Sequence, residues 1–271
     1  VFNGLAAGSY DIFVQDSVGC TDTLTQVVEQ PDSISIFTTQ IDSTSCFNAA
    51  DGQIHVDASG GTGAFEFSID NMTFLPDSTF SNLSAGSYTI YAQDENNCID
   101  SLTNVVVEQP DSLLITNITV QNVACFGDSV GSLIQFDAQG GTAPFSFAID
   151  CTFGASNSFS NVLAGNYTLE VMDDNGCSAV PVDTVVAEPS QLTVALDSSI
   201  AASCALSNGS LFFSGNGGTP PYSFSLNGGA AQASGSFANL LAGAYSLVIT
   251  DDAGCDTTIN VTLDGFPPVD I

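Results

Sequence analysis

The sequence contains no lysine, no arginine and no tryptophan, and only one histidine stands against 30 aspartates and glutamates. An average chain of this length carries roughly thirty basic residues, so their loss reflects selection rather than sampling. Without them no conventional salt bridge can form, and a formal charge of −30 must be solvated, screened by salt or bridged by cations. Nucleic acid is excluded as a partner, because phosphate binding depends on Lys and Arg, and an anionic membrane surface repels the chain. Trypsin-like proteases find no site to cut. Resistance to them and adaptation to salt are two readings of the same bias. Phosphoryl transfer and most sugar chemistry lose their usual side chains. There is also no initiator Met, signal peptide or apolar run long enough to span a bilayer, so no membrane insertion is expected and any targeting parts lie outside this segment.

What is present argues for a folded chain. Only 11% of the residues are charged, 44% are apolar and 19 are Phe, which is not the composition of a disordered polymer. Eight cysteines, none in a Cys-x-x-Cys pair, indicate an oxidising extracellular compartment.

A period of about 79 residues organises the whole sequence. Four copies of one motif read FNGLAAGSY, FSNLSAGSY, FSNVLAGNY and FANLLAGAY, ending at Tyr10, Tyr88, Tyr167 and Tyr245. Each is followed by an alternating strand and an Asp-rich turn that closes on Cys20, Cys98, Cys177 or Cys255, and then by Pro31, Pro110, Pro189 or Pro267. The front half occurs three times: Cys46, Cys125 and Cys204 precede the strands GQIHVDA, GSLIQFDA and GSLFFSG, and then the turns GGTGAF, GGTAPF and GGTPPY. The units run at 31–109, 110–188 and 189–267; residues 1–30 are the C-terminal part of a preceding unit and 268–271 the start of another.

Period-two alternation in runs of five to eight residues, bounded by Gly, Asn, Asp and Pro, reads as strands, and no stretch keeps a helical period. The fold class is all-β: tandem immunoglobulin-like β-sandwich repeats arranged end to end. About seven short strands per unit match that sandwich, each unit adding on the order of 40 Å to a fibre. The A-G-x-Y motif fits a tyrosine corner, which makes Tyr10, Tyr88, Tyr167 and Tyr245 structural residues.

On the Cys-x5-Gly, GGT-x-P-[YF], L-x-A-G-x-Y and D-x-x-G-C motifs the chain resembles the repeats of SprB-type adhesins, the long cell-surface proteins of gliding Bacteroidetes. The resemblance implies export by the gliding-associated secretion system, display as a filament, and attachment to surfaces or other cells, in gliding or in capture of prey or neighbours. The binding of a surface or cell-surface glycan is then expected at a site outside this segment. The alternative is a calcium-dependent module in which the repeats themselves bind a glycan or partner. The absence of Trp weighs against it.

Few residues offer chemistry. His55 is the one neutral-pH base, but alternation between Ile54 and Val56 turns it away from the core, and Ile134 and Phe212 occupy the equivalent region of the other repeats. No catalytic residue is assigned, and no enzyme is expected. The turns around Asp94, Asp173, Asp174, Asp251 and Asp252 supply oxygens suited to calcium, though Asp and Asn are also simply good turn formers. No other cofactor is expected. Asp followed by Ser or Thr and then an aliphatic residue, Ala, Met or Thr occurs ten times, at Ser17, Thr23, Ser33, Ser43, Ser78, Ser101, Ser112, Ser129, Thr184 and Thr257. Chance would give roughly two or three. The pattern is similar to the O-glycosylation acceptor motif of secreted Bacteroidetes proteins; equally, Asp-Ser and Asp-Thr begin turns and strands.

The periodic cysteines allow three pairings. Within a repeat, Cys46–Cys98, Cys125–Cys177 and Cys204–Cys255 are natural partners, and adjacent pairing such as Cys98–Cys125 is another arrangement. In an immunoglobulin-like sandwich, however, the first turn and the last turn lie at opposite poles. Head-to-tail repeats then favour a staggered pattern, Cys46–Cys177 and Cys125–Cys255, with the partners of Cys20, Cys98 and Cys204 outside the segment. Cys151 has no counterpart at Asn71 or Asn227 and is a candidate interchain thiol, which fits association with other copies of the chain in a fibre or bundle.

Overall fold

The computed structural model describes residues 1–203 and 206–266. Among them are 22 strands and no helix. The chain divides into two compact units, Val1–Asp111 and Ser112–Ile271. Cys204, Pro267 and residues 268–271 lie outside the described residues.

The first unit holds one hairpin and one sandwich. The hairpin pairs Gly8–Gln15 with Thr21–Val28. In the sandwich, one sheet sets Gly52–Ser59 between Ser35–Asp42 and Thr79–Leu83, and the other sets Gly86–Gln93 between Glu66–Ser68 and Ile99–Val107. The second unit repeats this plan twice. Leu133–Gln139 lies between Leu114–Gln121 and Ser158–Ser160, and Gly165–Met172 between Ser146–Ile149 and Val182–Val186. Gly209–Asn216 lies between Thr193–Ile200 and Ser236–Leu240, and Gly243–Thr250 between Ser223–Leu226 and Asp256–Leu263.

In each repeat the first, second and fourth strands thus form one antiparallel sheet, and the third, fifth and sixth the other. This is an immunoglobulin-like sandwich with six strands rather than the seven expected. The missing strand is reduced to a single bridge back to the third strand, Phe67 to Leu75, Phe147 to Gly154 and Phe224 to Gln232. The reason is local: left-handed residues at Asn71, Asp150 and Cys151, and Asn227 turn the chain too sharply for a strand.

Alternation decides what each sheet buries. Ile54 and Val56 face Ile90 and Ala92; Ile134 and Phe136 face Leu169 and Val171; Leu211 and Phe213 face Leu247 and Ile249. Burying one such Leu, Ile or Phe contributes about 1.5–3 kcal/mol, and each repeat has its own cluster. The Gly8–Val28 hairpin has the same pattern but not the same cover. Val14 stands where Val171 is buried, yet it is 62% exposed. On the same hairpin Phe2, Leu5, Tyr10, Ile12 and Val28 line an apolar cavity of about 340 Å³.

Candidate functional site

Two turns meet at the leading end of each repeat. The first Asp of the last turn is buried at Asp94, Asp173 and Asp251, and its carboxylate is satisfied by backbone donors. Asp173 Oδ1 accepts the N–H groups of Asn175 at 3.0 Å and Cys177 at 2.8 Å, and Oδ2 accepts that of Thr142 at 2.9 Å. Asp94 accepts from Asn96 and Cys98 at 2.9 Å and from Thr62 at 3.0 Å; Asp251 accepts from Cys255 at 2.9 Å and Thr219 at 2.8 Å. Bonds from backbone N–H groups, that of Cys98 first, hold the Asp94 carboxyl below its ordinary range. The Thr carbonyls answer in reverse, accepting the N–H groups of Glu95, Asp174 and Asp252 at 3.2, 3.0 and 2.9 Å. The glycine pair makes this approach feasible. A Cβ on Gly141, at φ +59°, would stand 2.8 Å from Asp173 Oδ2, and one on Gly218, at φ +56°, 2.5 Å from Asp251 Oδ2.

The calcium candidates are therefore placed differently from one another. Asp94, Asp173 and Asp251 point inward with both carboxylate oxygens engaged, whereas Asp174 and Asp252 are exposed. Among the described residues no group of three or more His, Cys, Asp or Glu side chains is placed to hold a metal ion.

The tyrosines form the corner at all four copies. Tyr10, Tyr88, Tyr167 and Tyr245 donate their hydroxyls to the carbonyls of Ala6, Ser84, Leu163 and Leu241 at 2.7–2.8 Å. His55 is half-buried rather than freely solvated. Its Nδ1 lies 3.1 Å from Thr79 Oγ1 and its Nε2 3.7 Å from Asp42 Oδ2. Register also corrects its counterpart in the second repeat: His55 pairs with Thr79 as Gln135 pairs with Ser158, while Ile134 is a fully buried core residue.

In the second unit the trailing end of one repeat can be traced onto the leading end of the next. The loop after the first strand is tied to the chain's exit: Val123 N–H donates to the Ala187 carbonyl at 3.2 Å, Ala187 N–H to Asn122 Oδ1 at 2.9 Å, and Gly127 N–H to Glu188 Oε2 at 2.8 Å. Three residues on, Gly218 N–H donates to the Ser190 carbonyl at 2.8 Å, which ties the incoming chain to the glycine turn and so to Asp251. Cys125 and Cys255 meet there and form a disulfide, with Cα atoms 5.7 Å apart and a separation of 130 positions in sequence. Beside it Phe126, Asp128, Gln191, Asp256 and Thr257 line a cleft of about 400 Å³.

For Cys125 this bond leaves no room for the within-repeat partner Cys177 or the adjacent partner Cys98. Cys46 and Cys177 are disulfide-bonded cysteines as well. Cys20, Cys98 and Cys151 are exposed thiols. Glu170 beside Cys151 raises its thiol pKa by its charge, and Glu170 Oε2 accepts the Cys151 N–H at 3.1 Å. Of the ten Asp-Ser/Thr hydroxyl positions, Ser17, Thr23, Ser33, Ser43 and Ser101 are exposed, and Ser78, Ser112, Ser129, Thr184 and Thr257 half-buried.

Comparison with known proteins follows this geometry. Residues 38–74, from the first strand through the glycine turn to the loop after the third strand, match the SprB repeat family. The chain carries an SprB-type repeat. That match and the Cys125–Cys255 disulfide elsewhere in the chain support an extracellular repeat protein. No curated protein matches the chain. Among solved structures, extracellular domains 3–5 of Drosophila OTK are 16% identical, with 88% of this chain and 98% of that one covered at a TM-score of 0.28. The four N-terminal Ig domains of Dscam1 isoform 8.4 are 12% identical over 96% and 81%, at 0.28, and the protocadherin GammaB4 extracellular domain 10% over 97% and 60%, at 0.30.

Thr62, Thr142 and Thr219 were not singled out from sequence, and neither were Asn82, Asn161 and Asn239, whose left-handed conformations open the tyrosine-corner turn. Both sets recur at fixed places in the repeat, and that recurrence was the available signal.

Proposed function

We propose that this chain is a structural segment of a long secreted cell-surface filament or adhesin that attaches the cell to surfaces or to other cells. One observation carries the reading: the Asp–Thr clamp between the last turn and the glycine turn, and the tyrosine corner, recur in all three complete repeats and serve the fold. A dedicated ligand site would require something that one repeat has and its copies do not. Cys151 is such a difference, and it fits a link to another copy of the chain in a bundle. The ten Asp-Ser/Thr hydroxyls, none of them buried, fit glycan attachment along the stalk. Contact with a surface glycan would then belong to another part of the protein.

Two measurements test this. In-frame removal of one repeat should shorten the native filament by one repeat length in electron micrographs. The oxidised chain should bind neither cells nor glycan arrays, with or without calcium; calcium-dependent binding by this segment would instead establish it as the binding module.

A further inference from the structure

The disulfide between Cys125 and Cys255 joins the loop after Leu114–Gln121 to the turn before Asp256–Leu263. We infer that it carries tension around both sandwiches of the second unit, so that their extensibility is set by the redox state of this one bond. The inference goes beyond an adhesive role and would hold for any chain loaded through these repeats.

Tension applied at Ser112 runs along Leu114–Gln121 to Cys125, crosses the bond to Cys255, and leaves along Asp256–Leu263. The residues between the two cysteines, which are 130 positions apart, form a closed loop that includes the linker from Ala187 to Leu192 and most of both hydrophobic clusters, with Leu113, Val123 and Leu263 outside it. Those clusters have no ion pair to reinforce them, because the chain has no Lys or Arg. In the oxidised chain only the short stretches 112–125 and 255–266 lie outside the loop; their full contour is about 80 Å, much of it already extended as strands, so they can lengthen by less than that. A dithiol reductant breaks the S–S bond by supplying two electrons and two protons, leaving two thiols and closing to its own disulfide. The loop then joins the load path and adds about 450 Å of contour.

Single-molecule pulling on the full chain tests this, with handles attached by non-thiol chemistry at Ser112 and Phe266. Placing the handles there puts the Cys125–Cys255 bond in the load path; Cys177 inside the loop is disulfide-bonded too and its bond is opened by the same reductant, so a double variant of the pair isolates the Cys125–Cys255 bond. The oxidised chain should release no more than about 80 Å, and the same molecules in dithiothreitol about 450 Å more. A Cys125→Ser, Cys255→Ser double variant should give the long release without reductant. An oxidised chain that extends as far as the reduced one, or a double variant that stays short, overturns the proposal. Because no ligand or cell takes part, failure here leaves the adhesive reading to be judged by its own assays.

Discussion

Asp173 and Thr142 hold each other across 31 residues of sequence: the Asp173 carboxylate accepts the Thr142 N–H at 2.9 Å, and the Thr142 carbonyl accepts the N–H of the next residue, Asp174, at 3.0 Å. The clamp ties the glycine turn to the cysteine turn, and so positions Cys177; its copy at Asp251 and Thr219 positions Cys255 for the disulfide.

Replacing Asp173 by Ala removes the acceptor of three N–H groups, those of half-buried Thr142 and Cys177 and of exposed Asn175, each costing about 1–3 kcal/mol where water does not reach it. We expect a loss of about 2–4 kcal/mol in urea unfolding for Asp173→Ala. Asp174→Ala, whose exposed side chain takes no part in the clamp, should stay within about 0.5 kcal/mol. Equal effects would mean that the clamp is not the stabilising feature.

Gly141 and Gly176 separate backbone strain from crowding. Both have positive φ, but a Cβ on Gly176 meets nothing within 4 Å, whereas one on Gly141 would press on Asp173. Gly176→Ala should cost about 1–2 kcal/mol from the left-handed conformation alone, and Gly141→Ala at least about 1 kcal/mol more. Thermal unfolding of the two variants side by side gives the comparison.

Acid should act through Asp70. Backbone bonds from Thr73 and Met72 and the Ser68 hydroxyl lower its pKa to about 2. A group depressed in the folded state contributes stability that is complete above its unfolded pKa, near 3.8, and is lost as pH falls through the folded value, near 2. Falling net charge works in the opposite direction, so the useful quantity is the difference from Asp70→Asn. That difference should shrink between pH 4 and 2, in the interval those two values bound. A pH-independent difference would contradict this.

Cys151 should be a slow thiol because Glu170 disfavours its thiolate. Glu170→Gln should raise the rate of Cys151 alkylation by iodoacetamide at neutral pH severalfold, as followed by mass spectrometry. No change would show that another feature controls the thiol.

Tyr167→Phe removes one hydroxyl bond to Leu163 while leaving the ring in place. A loss of about 1 kcal/mol is expected, and Tyr245→Phe should match it because the corner is the same.

The sequence by itself determined the features that local rules govern. Alternation with period two selected Ile90 and Ala92, Leu169 and Val171, and Leu247 and Ile249 as inward pairs, and recurrence marked the four tyrosines, whose bonds reach back only four residues. Alternation turns His55 away from the core, but its half-burial comes from Thr79 on a strand paired by tertiary register, which alternation cannot show. The Asp-rich turns read first as turn formers and second as calcium ligands, and their actual role was hidden because their N–H donors include Thr62, Thr142 and Thr219, more than thirty residues away. Cysteine pairing was decided by the tertiary structure alone. Spacing is compatible with several partners for Cys125, and only the placing of one repeat's trailing loop against the next repeat's leading turn brings Cys255 within bonding distance.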